Sequence, residues 1–210
     1  MIKIPEKYYG PTRGRILRVA ARLFSESGYT KVTTREIAQA VDINVASIYH
    51  YFPSKADILK SLYEFYSDAL HRALPDLNEL LKLAQTHPPH EVLMKTECHF
   101  DAEIRDFLDQ ILLTATREIG VDPESDKFVL DTIFTPTLKI LKPLLRHMAE
   151  SGKIEPLDVD TFIGVFTYYC FSAAALNYSP FGNTPERYRT DLSFIFSMIT
   201  PAKQPFSSQN

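Results

Sequence analysis

The chain has 210 residues, a formal net charge of −3 and 45% hydrophobic residues, which is an ordinary composition for a globular protein with a substantial core. No run approaches the roughly 18 consecutive apolar residues of a membrane span. The N-terminus lacks the apolar core of a signal peptide, so we expect a cytoplasmic protein. Cys98 and Cys170 lie far apart and outside any C-x-x-C pattern, which predicts reduced, buried thiols and excludes a disulfide framework.

Basic charge is concentrated in the first sixty residues. Residues 1–60 hold 10 Lys/Arg and 5 Asp/Glu, a net charge of +5, whereas the remainder carries −8. An asymmetry of this kind is the electrostatic footprint expected when one part of a molecule meets phosphate. Because +5 is modest, we expect the non-specific affinity for nucleic acid to be modest too.

The first predicted helix runs from Thr12 to Ser27, after a short N-terminal tail. Its apolar residues follow the i, i+3, i+4 spacing of an amphipathic helix, and arginines flank that stripe. Gly28 is placed to end the helix. We expect this helix to support the segment that follows it, with the arginines near its start close to a nucleic acid backbone.

Residues 33–55 read as two short helices joined by a tight turn. Thr33 and Glu36 have the spacing of a capping box, and Asn44 is a good N-cap for a second helix from Val45 to about Tyr51. Asp42 lies where the turn requires a special backbone conformation. The pattern predicts a helix-turn-helix whose second helix presents small, polar and aromatic side chains without an acid, a face that can enter a major groove. The alternative is a pair of surface helices in an ordinary bundle.

The run from Ile37 to Leu59 also resembles the DNA-binding signature of the TetR family of transcriptional regulators. Tyr49, Phe52, Lys55 and Leu59 stand at the matching places, and the resemblance is specific over about residues 16–62. Two positions depart from the family pattern: Asp42 replaces the usual turn glycine, and Val45 replaces a lysine that is common early in the recognition helix. The second departure removes one expected phosphate contact.

We expect the DNA contacts to come from this segment. Val45 and Ala46 suit thymine methyl groups, and Ser47 and His50 are further candidates for base edges. The phosphate anchors that we expect are Thr34, Arg35, Tyr49, Tyr51 and Lys55, and Asn44 completes the set of DNA-binding residues.

Helical spacing continues to the C-terminus, and no segment shows convincing strand alternation. The predicted fold is all-α with about nine helices. We expect a helix-turn-helix domain at residues 1–54, a connecting helix at 55–86 that Pro75 kinks or ends, and a ligand-binding and dimerisation domain at 87–210. A helix from Pro123 to about Ser151 contains Pro136 and Pro143, so we expect it to be kinked. The final ten residues are expected to be disordered.

The last two predicted helices, at about 159–178 and 185–199, are apolar around much of their girth. In the TetR family the corresponding helices pair with those of a second copy, and the pattern here looks like that of a homodimer. Ordinary core packing is the alternative for each residue. The candidate interface residues are Phe162, Phe166, Ala173, Leu192, Ile195, Phe196 and Ile199.

Signatures of enzymes and metal sites are missing from the sequence. There is no G-x-S-x-G, no Gly-rich phosphate loop and no H-E-x-x-H. His87 and His90 straddle two prolines, and Cys98 and His99 would point about 100° apart on a helix. We therefore expect neither catalysis, nor a cofactor, nor a bound metal.

A small-molecule pocket is more plausible, because prolines in one helix leave gaps between neighbours and the TetR family binds effectors in its C-terminal helices. Most aromatic residues of a bundle are core, but these could also line a site for a mostly apolar or aromatic effector. The candidate residues are Cys98, His99, Phe100, Phe107, Phe134, Tyr168, Tyr169 and Asn177.

The resemblance therefore implies a dimeric, ligand-responsive repressor that binds a palindromic DNA operator. The alternative is a protein of the same fold that acts mainly through a protein partner. The sequence does not separate a repressor from an activator, nor does it identify the effector or the operator.

Overall fold

The computed structural model describes residues 10–96, 98–155, 158–175 and 185–199; the side chains of residues 137, 170–175 and 185–189 lie outside this description. The described residues are all-α, which confirms the predicted fold class. They form α1 (Pro11–Ser27), α2 (Thr34–Val41), α3 (Val45–Tyr51), α4 (Lys55–Ala73), α5 (Leu77–Thr86), α6 (Pro89–Met94), α7 (Ala102–Arg117), α8 (Pro123–Phe128), a π-helical segment (Val129–Phe134), α9 (Thr135–Glu150), α10 (Val159–Ala175) and α11 (Pro185–Ser197). None of these helices is long and apolar enough to cross a membrane.

The helices pack into two compact units, and each unit combines segments that are separated in the sequence. Unit 1 contains α1–α4, α7, α8 and the π-helical segment, and unit 2 contains α5, α6, α11 and most of α9 and α10. The predicted functional boundaries at residues 54 and 86 stay a prediction, because packing alone does not assign function.

In unit 1, α1 is the helix around which the others are assembled. Its apolar stripe is buried, and it packs against α2, α4 and, most extensively, α7. Burial of a full-sized apolar side chain contributes about 1.5–3 kcal/mol, so this stripe fixes the position of α1 on its neighbours. The buried members of the stripe are Ile16, Leu17, Ala20, Ala21 and Phe24.

Polar contacts join α4 to α8 and the π-helical segment. The hydroxyl groups of Tyr63 and Ser125 are 2.6 Å apart, and those of Ser67 and Thr132 are 2.9 Å apart. The ring of Tyr63 also stacks on Phe128, with centroids 4.2 Å apart. These contacts hold the helix after the helix-turn-helix firmly within unit 1.

The helical run from Pro123 to Glu150 is continuous, and its irregularity lies just before Pro136. The Thr135 N–H donates to the Leu130 carbonyl, five residues back, which is the π-helical pattern. A proline in an α-helix lacks an N–H and its ring clashes with the carbonyl four residues earlier. The chain accommodates Pro136 by widening the preceding turn, whereas Pro143 lies inside α9.

Unit 2 has its own apolar core, which α5, α6, α9, α10 and α11 share. One face of α9 contributes four side chains to it, and α11 packs against α6. The core includes Leu80, Ala84, Val92, Leu93, Leu141, Leu144, Leu145, Met148, Ile163, Phe166, Leu192, Phe196 and Ile199.

Candidate nucleic-acid interface and effector region

The two short helices are capped as their sequence predicts. The Thr33 hydroxyl accepts from the Glu36 N–H at 3.2 Å, and the Glu36 carboxylate accepts from the Thr33 N–H at 2.7 Å. The side chain of Asn44 accepts from the Ser47 N–H at 2.7 Å and so begins α3. The bonds that the Glu36 carboxylate accepts from the Thr33 N–H and from the Thr33 hydroxyl hold the pKa of Glu36 below its usual range. The predicted capping box and the Asn44 cap are confirmed.

The turn between α2 and α3 depends on Asp42. Its φ of 60° and ψ of 52° are left-handed, and it is the one non-glycine residue with positive φ in the described part of the chain. The following Ile43 N–H donates to the Ala38 carbonyl at 3.0 Å, which closes the end of α2. Aspartate tolerates this backbone region better than most residues but less well than glycine.

Arginines of α1 hold the C-terminal ends of both short helices. Arg15 donates to the Val41 carbonyl at 2.6 Å, and Arg13 donates to the Tyr51 carbonyl at 3.3 Å and lies 4.3 Å from the centre of the Phe52 ring. Carbonyls at helix C-termini lack helical partners and carry partial negative charge, which cations stabilise. These two arginines therefore bond within the protein, whereas we had expected them close to the DNA backbone.

The outer face of α3 is accessible. Ile48 and Phe52 are buried against α2 and α1, and this leaves Ala46, Tyr49, His50 and Tyr51 exposed on the other side. Val45 and Ser47 are half-buried. The structure thus places the predicted base-edge candidates together on one helix, although their contacts with DNA stay a prediction.

Three of the residues predicted as phosphate anchors lie on the surface of α2 and α3. Thr34 and Tyr49 lie side by side, with their hydroxyl oxygens 3.2 Å apart, and Arg35 is exposed one position further along α2. Asn44 is exposed, but its side chain is used as the cap of α3.

Lys55 is bonded inside unit 1. Its ammonium donates to the Tyr29 carbonyl at 2.8 Å and to the Val32 carbonyl at 2.9 Å, and it lies 4.3 Å from the centre of the Tyr29 ring. Burial lowers the pKa of Lys55, and the nearby Glu118 and Glu36 carboxylates oppose that shift. Two of the three N–H donors of Lys55 are thus used on the connection between α1 and α2, and a phosphate contact through the third stays a prediction.

The eight candidate effector residues are divided between the two units. Cys98, His99, Phe100, Phe107 and Phe134 belong to unit 1, and Tyr168 and Tyr169 belong to unit 2. Asn177 lies outside the described residues. Tyr168 is 71% exposed, and Tyr169 donates to the Asp191 carboxylate at 3.0 Å. Of the set, Phe107 alone lines the cavity of about 350 Å³ that lies along α1 and α7 in unit 1.

Sequence reasoning missed a half-buried acid of unit 1, Asp109. Burial raises the pKa of Asp109 on α7 to about 6, and burial likewise raises the pKa of Tyr66 on α4, with Asp109 and Cys98 adding to the shift. The available signal was helical spacing, since Asp109 directly follows buried Leu108 and precedes buried Leu112 by three positions.

The predicted dimer residues also need correction. Phe166, Leu192, Phe196 and Ile199 are buried in the core of unit 2, where a second copy cannot reach them. Phe162 and Ile195 pack against the same core while partly exposed, and the side chain of Ala173 lies outside the described residues.

The exposed apolar side chains of these two helices lie on other faces. They are Val165 and Tyr168 on α10, three residues apart, and Phe194 and Met198 on α11, four residues apart. Both spacings place the pair on one side of its helix. The helices were predicted correctly, but the face that each turns outward was not.

The fold and this site define a helix-turn-helix DNA-binding protein. The model of the bacterial regulatory proteins of the tetR family matches residues 16–62. The nucleoid occlusion factor SlmA of Aliivibrio fischeri (strain MJ11) is 33% identical over 152 residues, 70% of this chain and 73% of SlmA. This chain therefore belongs to the TetR family of transcriptional regulators.

Other relatives match over a shorter stretch. The HTH-type transcriptional regulator YttP of Bacillus subtilis (strain 168) is 35% identical over 71 residues, 32% of this chain and 34% of YttP, so this match spans about a third of the relative. These families and relatives are regulators rather than enzymes.

Solved structures agree in fold. A tetR-family regulatory protein from Rhodococcus RHA1 superimposes with a TM-score of 0.68 at 18% identity, covering 92% of this chain and 100% of that one. AibR, solved in complex with isovaleryl coenzyme A and operator DNA, gives a TM-score of 0.62 at 19% identity, covering 93% and 99%. At these identities the likeness concerns the fold alone.

Proposed function

We propose that the protein is a dimeric, ligand-responsive transcriptional repressor that binds a palindromic operator and leaves it when a small, mostly apolar or aromatic effector binds. The observation that carries this proposal is the capped, acid-free outer face of α3, held rigidly on α1 by arginine bonds to helix ends. A preorganised helix of this kind enters a major groove at little entropic cost.

The reading of DNA divides into two sets of contacts. Val45, Ala46, Ser47 and His50 would meet base edges, and the adjacent hydroxyl groups of Thr34 and Tyr49 would meet phosphate together with Arg35 and Tyr51. The N-terminus of α2 supports such a phosphate contact through its free N–H groups and dipole. Two copies of α3 would occupy successive major grooves about 34–36 Å apart.

The exposed apolar stripe on α10 and α11 supports dimerisation. Large side chains that are about two-thirds exposed on both helices, such as Val165 and Phe194, are costly to leave in water when they form a patch. A homodimer covers such a patch by pairing it with itself, and a stable interface buries roughly 800 Å² on each copy. We therefore assign the interface to Val165, Tyr168, Phe194 and Met198 instead of the buried residues first predicted.

Release by an effector is supported by AibR, whose structure contains a small molecule and operator DNA. A ligand shifts the equilibrium between DNA-binding and released forms only if it binds the two with different affinity. The aromatic candidates Phe100, Phe107, Phe134, Tyr168 and Tyr169, with Cys98, His99 and Asn177, remain proposed ligand contacts.

The experiment that tests this proposal is selection of bound sequences from a random DNA pool, followed by titration of the selected site at several salt concentrations. We expect a palindromic site, bound by one or two dimers, with an affinity at least 1000-fold above that for random DNA. Failure to enrich any sequence, with the purified protein folded and dimeric, would contradict the proposal.

A second candidate function is nucleoid occlusion, which the name of the SlmA relative and its 33% identity favour. Such a protein would use the same DNA reader but would act through a protein partner, which is the alternative considered from the sequence. A genome-wide binding map separates the two: a few sites at promoters support the repressor, and many dispersed sites support nucleoid occlusion.

A further inference from the structure

The last turn of α7 is bonded to the connection between α1 and α2. Oε1 of Glu118 accepts a hydrogen bond from the Tyr29 N–H at 3.0 Å, and the Arg117 guanidinium donates to the Ser25 carbonyl. Residue separations of 89 and 92 make these contacts long-range, so they form only when α7 is in place. Arg117, the last residue of α7, and Glu118, its C-cap, thus hold the end of α1 and the start of the connection between α1 and α2.

Glu118 is a buried acid, and its surroundings show why it is tolerated. It is 4% exposed, and a buried carboxylate is costly unless hydrogen bonds and an opposite charge compensate it. The Tyr29 N–H supplies the hydrogen bond, and the Lys55 ammonium, close enough to affect its electrostatics, supplies the opposite charge.

Lys55 holds the same connection from the other side. Its ammonium donates to the Tyr29 and Val32 carbonyls, so residues 28–33 are tied to α7 through Glu118 and to α4 through Lys55. The connection leads directly into Thr33, the N-cap of α2, and Thr34, which lies beside Tyr49 on the proposed phosphate-binding surface. The position of α2 therefore depends on contacts made by α7.

The two halves of α7 differ in how they meet α1. The C-terminal end is bonded through Arg117 and Glu118, whereas the cavity of about 350 Å³ lies between its N-terminal half and α1, lined by Arg18, Val19 and Phe107 among others. The bonded C-terminal end of α7 is therefore the end that fixes the connection to α2.

We infer that Glu118 is a positioning residue for DNA binding: it holds residues 28–33 in the conformation that presents the N-terminus of α2 to phosphate. The inference rests on the proposed operator binding. Without Glu118 the side chains that face DNA are still present, but the free protein no longer holds them in place. Operator binding then has to order them, which lowers the affinity.

The test compares Glu118→Ala, Glu118→Gln and the control Glu124→Gln, which removes an exposed carboxylate from α8 of the same unit. Each full-length variant is titrated with the selected operator at several salt concentrations, and amide exchange is followed by mass spectrometry in the peptide that contains Tyr29. We expect Glu118→Ala to weaken operator binding about tenfold, equivalent to about 1.4 kcal/mol. The salt slope should stay unchanged because the number of phosphate contacts does not change.

Exchange at Tyr29 should accelerate in Glu118→Ala. Glu118→Gln should recover most of the protection and affinity, since its amide oxygen still accepts from the Tyr29 N–H, and Glu124→Gln should match the wild type. If Glu118→Ala fails to fold, Glu118→Met, which fills the same space without an acceptor, takes its place: faster Tyr29 exchange with about tenfold weaker operator binding supports the inference, and wild-type behaviour of Glu118→Met in both measurements overturns it.

A folded Glu118→Ala protein that melts at a lower temperature yet binds the operator as tightly as the wild type would show a purely structural residue and overturn the inference. That outcome leaves operator binding by the wild type intact. A wild type that binds no DNA would instead refute the proposed function, so the two failures are distinguishable.

Discussion

The helix-turn-helix and the α10–α11 pair are stabilised in opposite ways. The helix-turn-helix is short, and polar contacts close almost every helix end in it: a capping box at Thr33, an Asn44 cap, and arginines on the carbonyls of Val41 and Tyr51. The α10–α11 pair relies on apolar packing, including the stacked rings of Phe166 and Phe196, and it leaves apolar side chains exposed. The first region is complete within one chain, whereas the exposed side chains of the second would be covered in the proposed homodimer.

The largest expected effect is the difference in stability between substitutions on the inner and outer faces of α11. Phe196→Ala should destabilise the fold by about 3–5 kcal/mol, because Phe196 is 1% exposed in the core of unit 2. Phe194→Ala, two positions away and 67% exposed, should leave the unfolding of the monomer nearly unchanged but weaken self-association at least tenfold. Urea unfolding and sedimentation measure the two quantities. Equal effects of both variants on dimerisation would show that the interface lies elsewhere.

Lys55→Met should destabilise the protein by about 2 kcal/mol, because it leaves the carbonyls of Tyr29 and Val32 without their charged donor. The salt dependence of operator binding should keep its slope, since the Lys55 ammonium is bonded to backbone carbonyls instead of phosphate. Arg35→Met, at an exposed cation on α2, is the matched comparison and should reduce the slope by about 1. A reduced slope in Lys55→Met would restore Lys55 as a phosphate contact.

Removal of one cap tests whether the helix-turn-helix depends on local polar contacts. Asn44→Ala should cost about 1 kcal/mol in thermal or urea unfolding, because the Ser47 N–H loses its acceptor at the start of α3. Asn44→Asp retains an acceptor and serves as the control. Equal stability of all three proteins would mean that the packing of Ile48 alone holds α3.

The smallest expected effect is a gain in stability. Asp42→Gly should stabilise the protein by about 0.5 kcal/mol, because relief of the left-handed backbone at φ 60° slightly exceeds the extra entropy of glycine in the unfolded chain. Asp42→Val, which cannot adopt this conformation comfortably, should destabilise it. Urea unfolding of both variants gives the sign, and a loss of stability in Asp42→Gly would show that the aspartate side chain itself supports the turn.

How well each region could be predicted depends on how far apart in the sequence its contacting residues lie. Thr33, Glu36 and Asn44 signal helix starts within four residues along the chain, so the starts of α2 and α3 were predicted closely. The internal bonds of Lys55 could not be predicted because its carbonyl partners lie 23 and 26 residues away, and neither spacing nor composition reveals them.

The outward faces of α10 and α11 could not be chosen from sequence for a different reason. Apolar residues surround most of α10, so Val165 and Phe166 are equally suited to a core or an interface. Only packing against α9 and α11 shows that Phe166 is buried while Val165 is exposed. The sequence of a uniformly apolar helix predicts that it is a helix but does not predict which of its faces is turned toward the core.

The use of Arg13, Arg15 and Lys55 as internal donors has a consequence for how the protein would behave on a chromosome. These three are among the 10 Lys/Arg of residues 1–60, so less of that charge is available to displace counterions from DNA of arbitrary sequence. Weak retention on random DNA leaves more molecules free to search, because a genome offers about a million or more competing sites. A small number of copies per cell would then be enough to keep one operator occupied.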